Sequence, residues 1–341
     1  MSTIREVAAL ANVSAATVSR VINHDTKYKM TDETIERVWK AVAELNYKAP
    51  TSSHEQMQYL QKGALSDTSV KKIGCILNIQ GGKYTDPYYL AILSGFEKSL
   101  MEKGFEVSFI RTVAELENPL ILYKTFDEPV SGVIIMNTLA EETFSFIKKK
   151  TPHIVGIDTT HTDIDNIAYD HYGAAFMAVK HLKDCGYKRI GFIGGSSYEM
   201  KTSRRFNGYY SALHCYDLEF NPDWVLCSEW DEDKCAEVIK EAHKNGKLPD
   251  AFFVASDLMA IGALRTLYEL GISVPDEMGV IGLSNIEISK YSNPPLSTIS
   301  LPIHEMGRVA ANVLLDRIAG DDTPYKVVTL RASLLKRSST L

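Results

Sequence analysis

From Lys72 onward the chain alternates short, continuously apolar runs with amphipathic stretches, and this alternation narrows the possible folds more than any other feature. The runs are "IGCILNI" at 73–79, "EVSFI" at 106–110, "GVIIM" at 132–136, "HIVGI" at 153–157, "RIGFIG" at 189–194, "AFFVA" at 251–255, "MGVIGL" at 278–283 and "KVVTL" at 326–330. Segments this short and apolar at nearly every position read as strands buried on both faces. Helical periodicity returns between several of them, at 172–185, 231–243 and 257–270. Strands joined through helices give parallel sheets covered by helices. Eight or more strands exceed one comfortable sheet, so the pattern predicts two α/β lobes. The chain is expected to pass between them near residues 155–165 and again near 285–300.

The first 48 residues read as three short helices. Thr3 and Glu6 match a capping box, and Ile4, Val7, Ala8 and Ala11 recur at helical spacing. Asn12, Val13 and Ser14 make a short turn, with Ser14 placed to cap a second helix whose Val18, Val21 and Ile22 face inward. A third helix opens with Asp32 and Glu33, carboxylates suited to the positive end of a helix dipole. Its apolar stripe is Ile35, Val38, Trp39, Val42 and Leu45. Two helices across a short turn suit either a helix-turn-helix or a small helical cap. The outward Thr17, Ser19, Arg20 and Asn23 favour the DNA-reading unit. Residues 49–71 are polar with isolated apolar positions and read as a hinge or linker; Gln56–Gln61 has room for one or two helical turns, marginal without a partner.

At net charge -6 and pI near 5.9, the chain is not a polycation that coats nucleic acid, so any DNA-facing charge must be local. No run approaches the roughly 20 apolar residues of a membrane helix. Arg5 and Glu6 stand where a signal peptide would be apolar. The five scattered cysteines lack a Cys-x-x-Cys pair, which predicts free thiols in a cytoplasmic protein and no metal site. "GGS" at 194–196 lacks the rest of a dinucleotide fingerprint. The nine histidines show no paired-ligand spacing; His161 and His171, flanking an Asp-rich loop, read as solvated. No catalytic constellation and no cofactor motif appears, which points to a binding protein and not an enzyme.

The segments "VSAATVSRVIN" (13–23) and "ELNY" (44–47) closely resemble the DNA-binding headpiece of the LacI/GalR family of bacterial repressors. The likeness continues through "DPYYLAILSGFE" (86–97), "RIGFIGG" (189–195), "RRFNGYYSAL" (204–213), "PPLSTI" (294–299) and "LKRSST" (335–340), and is strongest toward galactoside-regulating members. The resemblance implies an all-α helix-turn-helix headpiece (1–48), a hinge (49–71), and a two-lobed periplasmic-binding-protein-like core with two parallel doubly wound sheets (72–341). It also implies a homodimer on palindromic operator DNA, released or engaged through a small sugar such as galactose or a galactoside. A purine or phosphosugar corepressor is the alternative within the class. The absence of a leucine heptad beyond "LKRSST" suits a dimer.

Carried over residue by residue, the DNA contacts would be Thr3, Ser14, Ala15, Ala16, Thr17, Ser19, Arg20 and Asn23, with Met57 and Leu60 as hinge wedges in the minor groove. The sequence departs from the family's usual hinge after Pro50, where "TSSHEQMQYLQ" follows. Ala15 and Ala16 offer only apolar contacts, so Arg20 would read the most bases. In the effector site, Arg205 would bind hydroxyls (with Arg204 as its neighbour), Asp158 would close the cleft, and Trp230 or the competing Trp224 would stack on a sugar ring. Pro87, Tyr88 and Leu90 would form one wall. Ser256 and Asp257 stand where the family commonly has Asn-Asp, and Ser284 and Asn285 where it has paired acids. The site therefore loses a carboxylate relative to its relatives.

Overall fold

The computed structural model describes residues 3–22, 30–45, 47, 71–79, 86–200 and 202–341. Asn23, Met57 and Leu60 lie outside them, as does nearly all of the proposed hinge. The chain divides into two compact units, one of residues 1–78, 104–133 and 139–154, the other of 79–103, 134–138 and 155–341.

The first unit contains the headpiece. Its first helix, Ile4–Leu10, begins with the expected capping box: Glu6 N–H donates to Thr3 Oγ1 at 3.3 Å, and Thr3 N–H to Glu6 Oε2 at 2.6 Å. Asn12 takes a left-handed conformation (φ 53°), a position Asn tolerates better than most residues, and turns the chain. Ser14 Oγ then accepts from Thr17 N–H at 3.0 Å and starts the second helix, Ala15–Ile22. The third helix is Asp32–Glu44. Val7, Ala8, Val18, Val21, Val38 and Val42 are buried between the three. This core continues onto Leu120 and Tyr123 of the helix Pro119–Thr125, where Trp39 stacks on Tyr123 with ring centroids 4.9 Å apart.

Among the described residues twelve strands follow: β1 (Lys72–Leu77), β2 (Glu106–Thr112), β3 (Gly132–Met136), β4 (Ile154–Ile157), β5 (Asp165–Tyr169), β6 (Ile190–Gly194), β7 (Val225–Cys227), β8 (Ala251–Val254), β9 (Gly279–Ser284), β10 (Ser297–Ser300), β11 (Val327–Leu330) and β12 (Ser333–Leu335). They form two six-stranded sheets, in the orders β11-β5-β4-β3-β1-β2 and β12-β10-β9-β8-β6-β7. The two predicted sheets are therefore present and parallel, except that β12 runs antiparallel to β10.

The chain crosses between sheets later than the sequence suggests. β5 still belongs to the first sheet, so the crossing follows Tyr169 and not residues 155–165. β10 still belongs to the second, so the return follows Ser300 and not 285–300. Both strands escape an apolar-run reading because they bury polar side chains with satisfied bonds. Ser297 and Thr298 are fully buried in β10. In β5, Asp165 is fully buried against Arg317 of the helix Ile303–Ile318: Nε donates to Oδ2 at 2.7 Å and Nη2 to Oδ1 at 3.0 Å. Arg317 also donates to the carbonyls of Asp321 and Thr323, and Lys326 N–H donates to Asp165, which fixes the run into β11.

The helix Ile303–Ile318 packs on Pro87–Glu102 with backbones nearly touching. A Cβ on Gly307 would lie 2.0 Å from Ile92 O, and one on Gly95 2.0 Å from His304 O. Alanine in a helix interior is otherwise worth roughly 1 kcal/mol over glycine. Gly307→Ala is nonetheless expected to destabilise the protein by about 1–3 kcal/mol through overpacking. A melting temperature equal to or above that of the parent would refute the close approach.

Candidate functional site

Several of the polar groups that the sequence singles out collect where strands end and helices begin, the usual ligand position in open α/β sheets. Asp158 directly follows β4 in a left-handed conformation (φ 52°). Tyr169 ends β5, and His171 is the first residue of the helix His171–Asp184, which Asp170 caps. Asp86 caps the helix Pro87–Glu102 by accepting from Tyr88 N–H at 2.9 Å. Ser203 caps Arg204–Cys215, which sets Arg205 in the first turn. Trp230 follows β7 through two consecutive left-handed residues, Glu229 and Trp230.

These side chains form one network. Tyr88 OH donates to Asp158 Oδ2 at 3.2 Å, while His171 Nε2 lies 2.9 Å from Asp158 Oδ1. The His171 ring stacks on Tyr169, with centroids 3.8 Å apart. Arg205 Nε donates to Tyr169 OH at 2.8 Å, and its guanidinium carbon is 5.2 Å from the centre of the Trp230 ring. Beside it, Asn137 Nδ2 donates to Tyr89 OH at 2.9 Å. Burial holds the Tyr88, Tyr89 and Tyr169 phenols above their ordinary range, so they stay neutral donors. Burial also lowers the His171 pKa, against the upward pull of its bond to Asp158. The cluster therefore gathers the Asp158 carboxyl group, the His171 imidazole and the Arg205 guanidinium among four aromatic rings.

Of the expected effector residues, Tyr88, Asp158, Arg205 and Trp230 come together. Trp224, the competing choice, is buried in the core. Pro87 holds the first position of its helix, and Leu90, a turn on, is exposed. Ser256, Asp257 and Asn285 bond to other neighbours. Ser256 Oγ accepts from Met259 N–H and caps Asp257–Glu269. Asp257 is fully buried, accepts from Thr298 Oγ1 at 2.6 Å and Ile286 N–H at 3.0 Å, and is pushed by burial up to about 6. Ser284 and Asn285 are left-handed (φ 120° and 58°), and Arg337 Nη2 donates to Asn285 Oδ1 at 2.7 Å. Asp257 and Asn285 thus shape the turn after β9, and Ser256 starts the helix after β8. His171, expected to be solvated, is instead an interior member of the site: its side chain is 15% exposed. Recognising β5 in "DNIAYDH" was the signal that would have placed it.

On the DNA side, Thr3 and Ser14 start helices and Thr17 lies in a first turn: Thr3 is in the capping box, and Ser14 and Thr17 are bonded to each other at 2.8 Å. The two alanines separate. Ala15 packs partly against the headpiece core, whereas Ala16 is exposed. Arg20 is half-buried in the last turn of the second helix.

Comparison with known proteins agrees with this layout. Residues 3–49 match the model described as "Bacterial regulatory proteins, lacI family", and residues 179–340 match "Periplasmic binding protein-like domain". The HTH-type transcriptional repressor PurR of Aliivibrio fischeri (strain MJ11) is 32% identical over 100% of this chain and 99% of its own. Two solved structures superpose with 25% identity. The transcriptional regulator CelR–cellobiose complex has a TM-score of 0.71 over 99% of this chain and 100% of that one. The lac repressor dimer bound to operator and the anti-inducer ONPF has a TM-score of 0.69 over 100% and 99%. Headpiece and core together define a DNA-binding transcriptional repressor under ligand control, not an enzyme. The chain belongs to the lacI family of bacterial regulatory proteins. Among the described residues, no helix is long and apolar enough to cross a membrane.

Proposed function

We propose that this repressor acts in the cytoplasm as a homodimer on a palindromic operator, and that its effector is an uncharged sugar, galactose or a galactoside. The placement of Asp158 and Arg205 in one network, joined through His171 and Tyr169 beside the Trp230 ring, carries this reading. Neighbouring hydroxyls need an acceptor and a donor fork side by side, and a pyranose presents a C–H face to rings such as Trp230. With His171 neutral, the charges of Asp158 and Arg205 cancel, which favours a neutral ligand over a phosphosugar. The CelR–cellobiose complex adds support from a protein of the same fold. Sugar binding that favours one arrangement of the core would change operator affinity through linkage.

The test is operator binding by fluorescence anisotropy, on DNA from upstream of its own gene, with galactose, lactose, melibiose, glucose 6-phosphate and hypoxanthine. A neutral galactoside should lower operator affinity. No sequence preference at all would end the repressor reading for this DNA, and a response to glucose 6-phosphate alone would end the neutral-sugar reading. The PurR repressors among the relatives are the reason to include a purine base; a gain in operator affinity with hypoxanthine would establish that second reading.

In the same assay, Ala16→Gln is expected to reorder affinities among operator variants by about tenfold per changed base pair, because a polar exposed side chain replaces a methyl contact. Equal loss on every operator would remove Ala16 from base readout.

A further inference from the structure

We propose that His171 is a positioning residue of the effector site, holding the Asp158 carboxylate from one side while Tyr88 holds it from the other, so that the remaining lone pairs meet a ligand hydroxyl. This assignment rests on the sugar reading above and adds a residue that reading does not require. Three observations carry it. His171 Nε2 is 2.9 Å from Asp158 Oδ1, and Tyr88 OH is 3.2 Å from Oδ2, so among the described residues each carboxylate oxygen has one protein partner. A carboxylate oxygen accepts about two bonds, which leaves one open on each. The imidazole is itself fixed by stacking on Tyr169, whose hydroxyl accepts from Arg205. His171 thus ties the acceptor half of the site to the donor half through one ring.

The tautomer follows from the geometry. A neutral imidazole that donates from Nε2 to a carboxylate carries its proton there and leaves Nδ1 as an acceptor. The groups facing the ring are Asp158 after β4, Tyr169 at the end of β5, Tyr88 through Asp158, and the cations Arg204 and Arg205 from their helix. Burial and the two arginines favour the neutral ring, Asp158 favours the charged one, and the net direction is below the usual 6.5. When the ring does protonate, it places a second cation beside Arg205 and draws the Asp158 charge away from the ligand. Sugar affinity should therefore hold at and above neutral pH and fall as pH drops through the His171 pKa.

Three full-length proteins provide the test: the parent, His171→Gln and His171→Phe, titrated calorimetrically with galactose and with melibiose from pH 5 to pH 8. Phenylalanine keeps the stack on Tyr169 but cannot donate, so it should bind about tenfold more weakly at pH 7.5, the usual worth of a hydrogen bond to a charged group. Glutamine restores a donor that does not titrate; it should recover most of the affinity at pH 7.5 and lose the acid-side fall seen in the parent. Should His171→Phe misfold, the Gln profile alone decides. Parent-like affinity in His171→Phe, or a parent-like acid-side fall in His171→Gln, would overturn the assignment. If the parent binds neither sugar at any pH, the sugar reading itself fails and takes this assignment with it.

Discussion

Replacing Arg205 with alanine is expected to weaken effector binding by at least about a hundredfold and to abolish the effector's influence on operator binding. Among the described residues, the guanidinium is the cation bonded within the Asp158–Tyr169–Trp230 cluster, donating to Tyr169 OH and lying against the Trp230 ring. Bonds from a charged donor are worth roughly 1.5–3 kcal/mol each, and a bidentate contact supplies two. Truncation also leaves the Tyr169 hydroxyl without the Arg205 donor. Calorimetry reads the affinity, and anisotropy on operator DNA reads the response. Arg205→Lys should recover only part of the affinity, because an ammonium keeps the charge and lacks the planar fork. Binding within threefold of the parent in Arg205→Ala would place the effector elsewhere.

Arg317→Ala is expected to have the largest effect on stability. It strands the Asp165 carboxylate, fully buried in β5, after removing both of its side-chain donors. Breaking a buried pair from one side typically costs 3–5 kcal/mol, since a charge remains without compensation. For a lobe of this size that corresponds to a fall in melting temperature on the order of 10 °C. It also frees the Asp321 and Thr323 carbonyls that position the approach to β11. The paired change Asp165→Leu with Arg317→Met should recover much of the loss, because two apolar side chains remove the buried charge entirely. A double variant no better than the single one would show that the pair matters for geometry more than for charge balance.

The Asp165–Arg317 pair also marks where sequence reading stops. Strands β1, β3, β8 and β9 are continuous apolar runs, and their order along the chain was enough to predict two α/β lobes. β5 was not legible because Asp165 and Asn166 open it, and the partner that makes their burial tolerable lies some 150 residues away. β10 was hidden in the same way by Ser297 and Thr298, which bond to Thr340 and Asp257. Missing β5 then cost His171, since a histidine after an unrecognised strand looks like a loop residue. Arg205, Asp158, Tyr88 and Trp230 were singled out on the family resemblance, and the fold brings them into one network. Ser256, which caps a helix, and Asp257 and Asn285, which bond around the turn after β9, were singled out in the same way, and only three-dimensional neighbours reveal those bonds.

The three tryptophans are placed so that the chain reports on itself optically. Trp39 stacks on Tyr123 where the headpiece meets the helix Pro119–Thr125, Trp230 lies under the Arg205 cation, and Trp224 is enclosed in the core. A ring against a tyrosine and a ring against a guanidinium have different polar surroundings, so their emission changes separately when either contact loosens. With Trp224 exchanged for phenylalanine, one indole follows the headpiece and the other follows the ligand. The response of each indole to ligand and to operator DNA can then be timed in a single cuvette, without attaching a dye.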